Sequence, residues 1–190
     1  KGDITDQRNI MMYKKFFENG KVDIFTSDCG VGNLDYSDEE LLLLKVHLSQ
    51  IICCLLTLKN GGSFVIKTFL PIQTKLGISI MYTLYKSFEE LYFYKPSLNP
   101  VSGEFYIIGI KYLGINDELE KKLLSIQKLK EISNVEIMSV SKDFLDKLNY
   151  LIYCLLNNHE NALILYQLCF FYNHTTDRTE FAQKWIKKYM

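Results

Sequence analysis

The sequence predicts an α/β fold: a mostly parallel sheet with one antiparallel strand, followed by a mainly helical C-terminal stretch. Three observations carry this. Short β-rich runs alternate with apolar segments of helical length. The run Ser63-Phe64-Val65-Ile66-Lys67-Thr68-Phe69 is almost continuously apolar, as a central parallel strand covered on both faces is. The loop from Pro96 to Gly103 is too short to hold a crossover helix, so the strands on either side of it run antiparallel.

Gly2-Asp3-Ile4-Thr5-Asp6 reads as a strand end leading into a helix from Gln7 to Phe17, which Asn19-Gly20 stops. Val22-Asp23-Ile24-Phe25-Thr26 is a short strand that runs into Ser27-Asp28-Cys29-Gly30 and the loop Val31-Gly32-Asn33. Ser37 with Glu40 three residues on is a capping box, opening a helix from Asp38 to Leu58 that Asn60-Gly61-Gly62 ends. The strand Ser63 to Phe69 follows, then a helix from Thr74 to Phe88. Glu90 to Tyr94 and Glu104 to Tyr112 are strands. After Gly114 the texture changes, which sets expected units at 1–115 and 116–190. Asn116 to Lys130, Lys142 to Leu156 and Asn161 to Tyr172 read as helices, with Val135 to Val140 a short strand. Thr179 to Lys188 reads as an amphipathic helix whose Lys184, Trp185, Lys187 and Lys188 suit RNA, a membrane surface or a protein partner, or a packed helix with a basic outer face.

The chain has 190 residues, 48% of them hydrophobic, enough for one sizeable core and an appendage. Lys+Arg and Asp+Glu are both 22, so total charge points to no partner class. Locally, residues 41–116 hold seven Lys against three Glu, while the first forty hold five basic and nine acidic groups. A mildly basic face beside an acidic pocket suits an anionic polymer and a cationic cofactor; ordinary surface charge explains the same counts. Cys29, Cys53, Cys54, Cys154 and Cys169 form no CxxC pair and read as reduced thiols of a cytoplasmic protein. The run Leu41 to Leu58 is interrupted by Lys45, His47, Ser49 and Gln50, which argues against a membrane span. His47, His159 and His174 are scattered, so no metal cluster is expected. The chain does not begin with Met, and the expectation is a piece of a longer polypeptide.

Three residues carry candidate chemistry. Asp28 follows a strand's C-terminal end, the edge where open α/β sheets bind ligands. Lys67 lies in an apolar strand, where a lysine costs several kcal/mol (roughly) unless it is paired or neutral; alternatively its stem packs while its head reaches water. Glu104 opens the strand Phe105-Tyr106-Ile107-Ile108-Gly109, where a solvated strand end is the plain alternative. Tyr92, Phe93, Tyr94 and Tyr106 could stack bases, although alternation places about half of such residues in a core.

Together, Asp23-Ile24-Phe25-Thr26-Ser27-Asp28, Asn60-Gly61-Gly62-Ser63-Phe64-Val65-Ile66-Lys67, Lys95-Pro96-Ser97 and Ser102-Gly103-Glu104-Phe105-Tyr106 resemble the FtsJ-like family of RNA ribose 2'-O-methyltransferases over about residues 1–113. The resemblance implies a Rossmann-like class I methyltransferase sheet, S-adenosylmethionine as cofactor and RNA as substrate. It implies that Asp28, Lys67 and Glu104 are the last three members of a Lys-Asp-Lys-Glu tetrad, and that Asp3 and Asp28 hold the cofactor, Asp3 at the adenine amino group. The competing explanation of this segment is helix capping by Asp3 or Asp6. The family's aspartate is usually followed by an apolar residue and Ala-Pro; here Cys29-Gly30-Val31-Gly32-Asn33 stands instead. The tetrad's first lysine and the glycine-rich cofactor loop are expected upstream of Lys1.

The implied reaction is an in-line attack of a ribose 2'-oxygen on the sulfonium methyl. Lys67 would take the hydroxyl proton or stabilise the oxyanion, oriented by Asp28 and Glu104. The substrate is either the cap-proximal nucleotides of mRNA or a structured ribosomal or transfer RNA. The Lys-, Tyr-, Asn- and Ile-rich texture resembles FtsJ-like proteins of large cytoplasmic DNA viruses, which favours the cap. The rival reading is a methyltransferase-fold subunit that binds RNA or protein without catalysis, with a protein partner engaged through the C-terminal extension.

Overall fold

Side-chain caps define where the helices begin. The computed structural model describes residues 2–29, 39–70, 72–96, 102–171 and 187. Asp6 caps helix α1 (Gln7–Phe16) by accepting from Arg8 N at 2.9 Å, and Lys14 and Lys15 sit at its C-terminal end, where the helix dipole favours cations. Thr74 Oγ1 caps α3 (Lys75–Ser87) by accepting from Gly77 N at 3.0 Å. Asn116 caps α4 (Asp117–Gln127), whose first turn carries Asp117, Glu118 and Glu120. Two long helices, α2 (Glu39–Thr57) and α5 (Lys142–Phe171), also lie among the described residues. The loop Val31-Gly32-Asn33, Ser37, His174, Trp185 and most of the Thr179 to Lys188 segment lie outside the described residues.

The strands β1 (Val22–Ser27), β2 (Leu58–Phe69), β3 (Phe88–Tyr94) and β4 (Glu104–Tyr112) form one sheet in the order β1-β2-β4-β3. β1 and β2 are parallel, and β4 is antiparallel to both β2 and β3. Three strands therefore point one way and β4 the other, as the short loop required. Period-two alternation sends Phe64, Ile66 and Thr68 of β2 and Phe105 and Ile107 of β4 to one buried face. α2 packs on it: Tyr112 Oη donates to Leu55 O at 2.7 Å, and Leu48, Ile52 and Leu55 join Phe64, Ile66, Phe105 and Ile107 in the core. Each such buried side chain contributes about 1.5–3 kcal/mol over an exposed one.

The core runs on into the C-terminal part. Phe144 of α5 packs against Tyr82 and Tyr85 of α3 at 4.9 and 5.1 Å between ring centroids, and Leu123, Ile126 and Leu148 are buried with it. Among the described residues, no helix is long and apolar enough to cross a membrane.

Several expectations are corrected. β2 begins at Leu58, not Ser63, so Asn60-Gly61-Gly62 lies within the strand instead of ending a helix. Gly61 has φ +80°, and the β1–β2 register shifts between Val22 and Ile24, so this glycine pair forms a bulge. Val135 to Val140 is not a strand: Ile137 N and Met138 N donate to Ser79 Oγ of α3 at 2.8 and 3.3 Å, which leaves those donors unavailable to a ladder. The two expected helices after Lys142 are one, because Asn157-Asn158-His159-Glu160 contains neither Pro nor Gly to break it. The expectation that both faces of β2 are covered also changes. Among the described residues the second face, with Ser63, Val65, Lys67, Tyr106 and Ile108, is half-buried, and Tyr92 and Tyr94 on it are exposed.

Candidate active site

The site lies where the parallel strands end and the antiparallel strand begins. Asp28 follows the last residue of β1, and Lys67 is two residues from the end of β2. β4 pairs Tyr106 with Lys67 and Glu104 with Phe69. Residues opposite each other in an antiparallel pair point to the same face, and so do residues two apart. Lys67, Phe69, Glu104 and Tyr106 therefore share the half-buried face, at one edge.

The side chains meet there. Lys67 Nζ forms an ion pair with Asp28 Oδ1, the lysine mostly shielded and the aspartate mostly open to solvent. The ammonium stands 5.6 Å above the Phe69 ring. Tyr106 Oη donates to Glu104 Oε1 at 3.0 Å. Glu104 does not ion-pair directly with Lys67, but its charge acts on it. Burial lowers the Lys67 pKa, but the Asp28 hydrogen bond and charge, with the charges of Glu104 and Tyr106, outweigh it, and the net shift is upward. Lys67 is thus a firmly protonated cation among these neighbours. The Tyr106 hydroxyl is pushed up as well, first by its hydrogen bond to Glu104, then by burial.

All three residues singled out from the sequence come together at this edge. Asp3 stands outside the cluster, at the start of α1. Its Oδ1 accepts from Thr5 N at 2.9 Å and Thr5 Oγ1 at 2.7 Å, and these bonds hold its carboxyl below the usual range. The capping role belongs to Asp6, which leaves Asp3 an exposed, ionised carboxylate. Gln127 of α4 donates to Thr5 O at 2.6 Å and to Ser49 Oγ of α2 at 3.3 Å, which fixes this segment beside α2.

Tyr106 reads from the sequence only as an aromatic; its spacing of two from Glu104 is the signal that both share the face of Lys67. Tyr92 and Tyr94 are exposed on the same face, while Phe93 stacks on Phe105 at 5.8 Å in the core. His47 of α2 is half-buried behind the site, with Nδ1 3.5 Å from Thr68 Oγ1 and a shielded, unpaired Nε2, and desolvation pushes its pKa down to about 4. Burial pushes Cys53 up to about 11 and Cys54 higher still, which makes both inert core thiols. Among the described residues, no group of three or more His, Cys, Asp or Glu converges to hold a metal ion.

Comparison with known proteins gives consistent matches. The model of the FtsJ-like methyltransferase family matches residues 1–112. An uncharacterized protein of Acanthamoeba polyphaga mimivirus is 36% identical over 143 residues, covering 73% of this chain and 18% of that protein. A probable methyltransferase of African swine fever virus is 28% identical over 144 residues, 74% of this chain and 34% of that protein. The cap-specific mRNA (nucleoside-2'-O-)-methyltransferase 1 of Mus musculus is 31% identical over 144 residues, 71% of this chain and 17% of the mouse protein. The chain thus spans about a third or less of the length of these relatives.

Proposed function

The chain belongs to the FtsJ-like methyltransferase family, and from that premise we propose that it carries the later part of an S-adenosylmethionine-dependent RNA ribose 2'-O-methyltransferase acting on cap-proximal nucleotides of mRNA. The observation that carries this is the convergence of Asp28, Lys67 and Glu104, from three different strands, on one edge of the sheet. The cap assignment takes its support from the mouse relative, and a viral protein working in the host cytoplasm is supported by the two viral ones. In this reading residues 1–115 are the methyltransferase unit, and 116–190 are a mainly helical extension available to a protein partner.

The exposed carboxylates of Asp3 and Asp28 suit a cofactor that carries a sulfonium cation and amino groups, and they would hold it. S-adenosylmethionine would supply the electrophilic methyl group. Lys67, held cationic by Asp28 and Glu104, would stabilise negative charge developing on the ribose 2'-oxygen as the hydroxyl proton passes to solvent. Asp28 and Glu104 fix the position of that ammonium, and Tyr106 holds the Glu104 carboxylate. For Lys67 to act as a base instead, a second cation would have to lower its pKa.

The test is transfer of a labelled methyl group by the full-length protein to a capped RNA. Wild type labels it, Lys67→Ala does not, and an RNA already 2'-O-methylated at its cap-proximal riboses accepts nothing. Equal labelling of both RNAs rejects the ribose target. The raised pKa of Lys67 favours one second reading, a subunit that binds without catalysing. Calorimetric binding of cofactor or RNA, with no transfer to any RNA, would establish it.

A further inference from the structure

Just past the end of β3, Lys95 carries an ammonium that meets carbonyls instead of a carboxylate. Its Nζ donates to the peptide oxygens of Ser102 and of Glu104, the latter at 2.7 Å. Lys14, Lys59, Lys67, Lys111 and Lys147 each face an acidic side chain. Lys95 is partly buried, and burial pushes its pKa down against the opposing charge of Glu104. A partly buried cation placed on two carbonyls fixes backbone position, because each charge-assisted hydrogen bond holds a peptide oxygen in place.

Two further ties act on the same three-residue segment, Ser102 to Glu104. Glu104 N donates to Ser102 Oγ at 3.1 Å. Leu70 N donates to Gly103 O at 2.9 Å, one step beyond the Phe69–Glu104 pair of the β2–β4 ladder. The backbones are close enough there that a Cβ on Gly103 would lie 3.3 Å from Leu70 O. Two of these ties end on Glu104 and two on the residues just before it. Glu104 is the residue whose carboxylate holds Tyr106 and whose charge reaches Lys67.

We propose that Lys95 is a positioning residue for the Lys67 centre: its ammonium clamps the Ser102 and Glu104 carbonyls across the β3–β4 connection and so aims the Glu104 carboxylate at Lys67. This rests on the reading of that centre given above. A loop staple without this role would hold the hairpin together but leave the Lys67 environment unchanged.

Lys95→Met and Lys95→Gln in the full-length protein separate the two. The first readout needs no activity: NMR titration of the Lys67 side chain. If Lys95 aims Glu104, Lys95→Met lowers the Lys67 midpoint to where Glu104→Gln puts it, and the double variant goes no lower. Losing the positive charge of Lys95 would itself push Lys67 upward, so a fall isolates the displaced carboxylate. The second readout is methyl transfer from S-adenosylmethionine. The expected result is a drop of about 100-fold in kcat with KM for the cofactor unchanged, and partial recovery in Lys95→Gln, whose amide still donates to one carbonyl. Reduced thermal stability with a Lys67 midpoint that is unaltered or raised overturns the proposal. Should Lys95→Met fail to fold, the same titration of Lys95→Gln decides between aiming and stapling. Should wild type transfer no methyl group, the enzymatic reading fails while the titration still decides the role of Lys95.

Discussion

Gly109→Ala tests the close contact between the β2–β4 ladder and the core. Gly109 pairs with Phe64 on one side and Leu91 on the other. A Cβ added there would lie 2.1 Å from Phe64 Cε1, 2.6 Å from Phe64 Cδ1 and 3.0 Å from Phe88 Cδ1. Neither ring has room to retreat: Phe64 is 0% exposed and Phe88 3%, and they pack edge to face at 4.7 Å. Relieving the overlap needs roughly an ångström or more of movement, by a ring or by the strand. Overpacking of this kind costs about 1–3 kcal/mol, and the absence of slack puts this site at the upper end. Alanine's smaller unfolded-state entropy returns about 0.4–1 kcal/mol, leaving a net loss of about 2 kcal/mol. Urea unfolding should show the midpoint falling by roughly 1 M at unchanged m-value. Phe64→Leu combined with Gly109→Ala should recover part of the loss, with a coupling of about 1 kcal/mol. Gly109→Ala within about 0.5 kcal/mol of wild type would refute the packing argument. Phe64 is three residues ahead of Lys67, so strand displacement should also reduce methyl transfer.

Three further outcomes are expected. Lys67→Ala should cut methyl transfer by about two to three orders of magnitude while circular dichroism stays unchanged; near-wild-type activity with RNA in excess would reject its role. Asp28→Asn removes a hydrogen bond and a charge that both raise the Lys67 pKa, so the NMR midpoint of Lys67 should fall, and an unmoved midpoint contradicts the ion pair. His47 is held neutral by burial, with its pKa pushed down to about 4 from an unfolded value near 6.5. Its contribution is complete above about pH 6.5 and is lost as pH falls toward about 4, on the order of 3 kcal/mol in all. His47→Leu should flatten that part of the stability profile; an identical pH slope in wild type and variant would show that another group causes it.

Much of the site could be read from the sequence because it depends on period and order. Lys67 in an apolar run, an acid after the preceding strand and an acid opening the strand after a short loop define one edge once the strand directions are known. Period and order place Asp28, Lys67 and Glu104 at that edge; their grouping as one centre comes from the resemblance to the FtsJ-like family. The bulge at Gly61 was not legible, because a Gly-Gly pair signals a helix stop and a strand kink equally well. The captured segment at Ile137 was hidden for another reason: its partner is a serine hydroxyl 58 positions away, and no local pattern reports such a bond. Lys95 was visible only within the Lys95-Pro96-Ser97 segment of the resemblance, with no role attached to it. Its hold on the Ser102 and Glu104 carbonyls depends on the width of a hairpin, which composition does not encode.

The strand order also bears on how the site comes into being. β3 and β4 are neighbours in sequence and can zip as a hairpin by local contacts alone, with Lys95 already on its carbonyls. β4 then docks along β2, and only that non-local step brings Glu104 beside Lys67. Pairings across long chain separations close slowly, since loop entropy is lost before contacts compensate for it. A chain with β4 undocked would keep the Asp28–Lys67 pair of the β1–β2 edge but would lack the Glu104 carboxylate beside it. The electrostatic environment of Lys67 is therefore a late marker of folding, one that circular dichroism would not see.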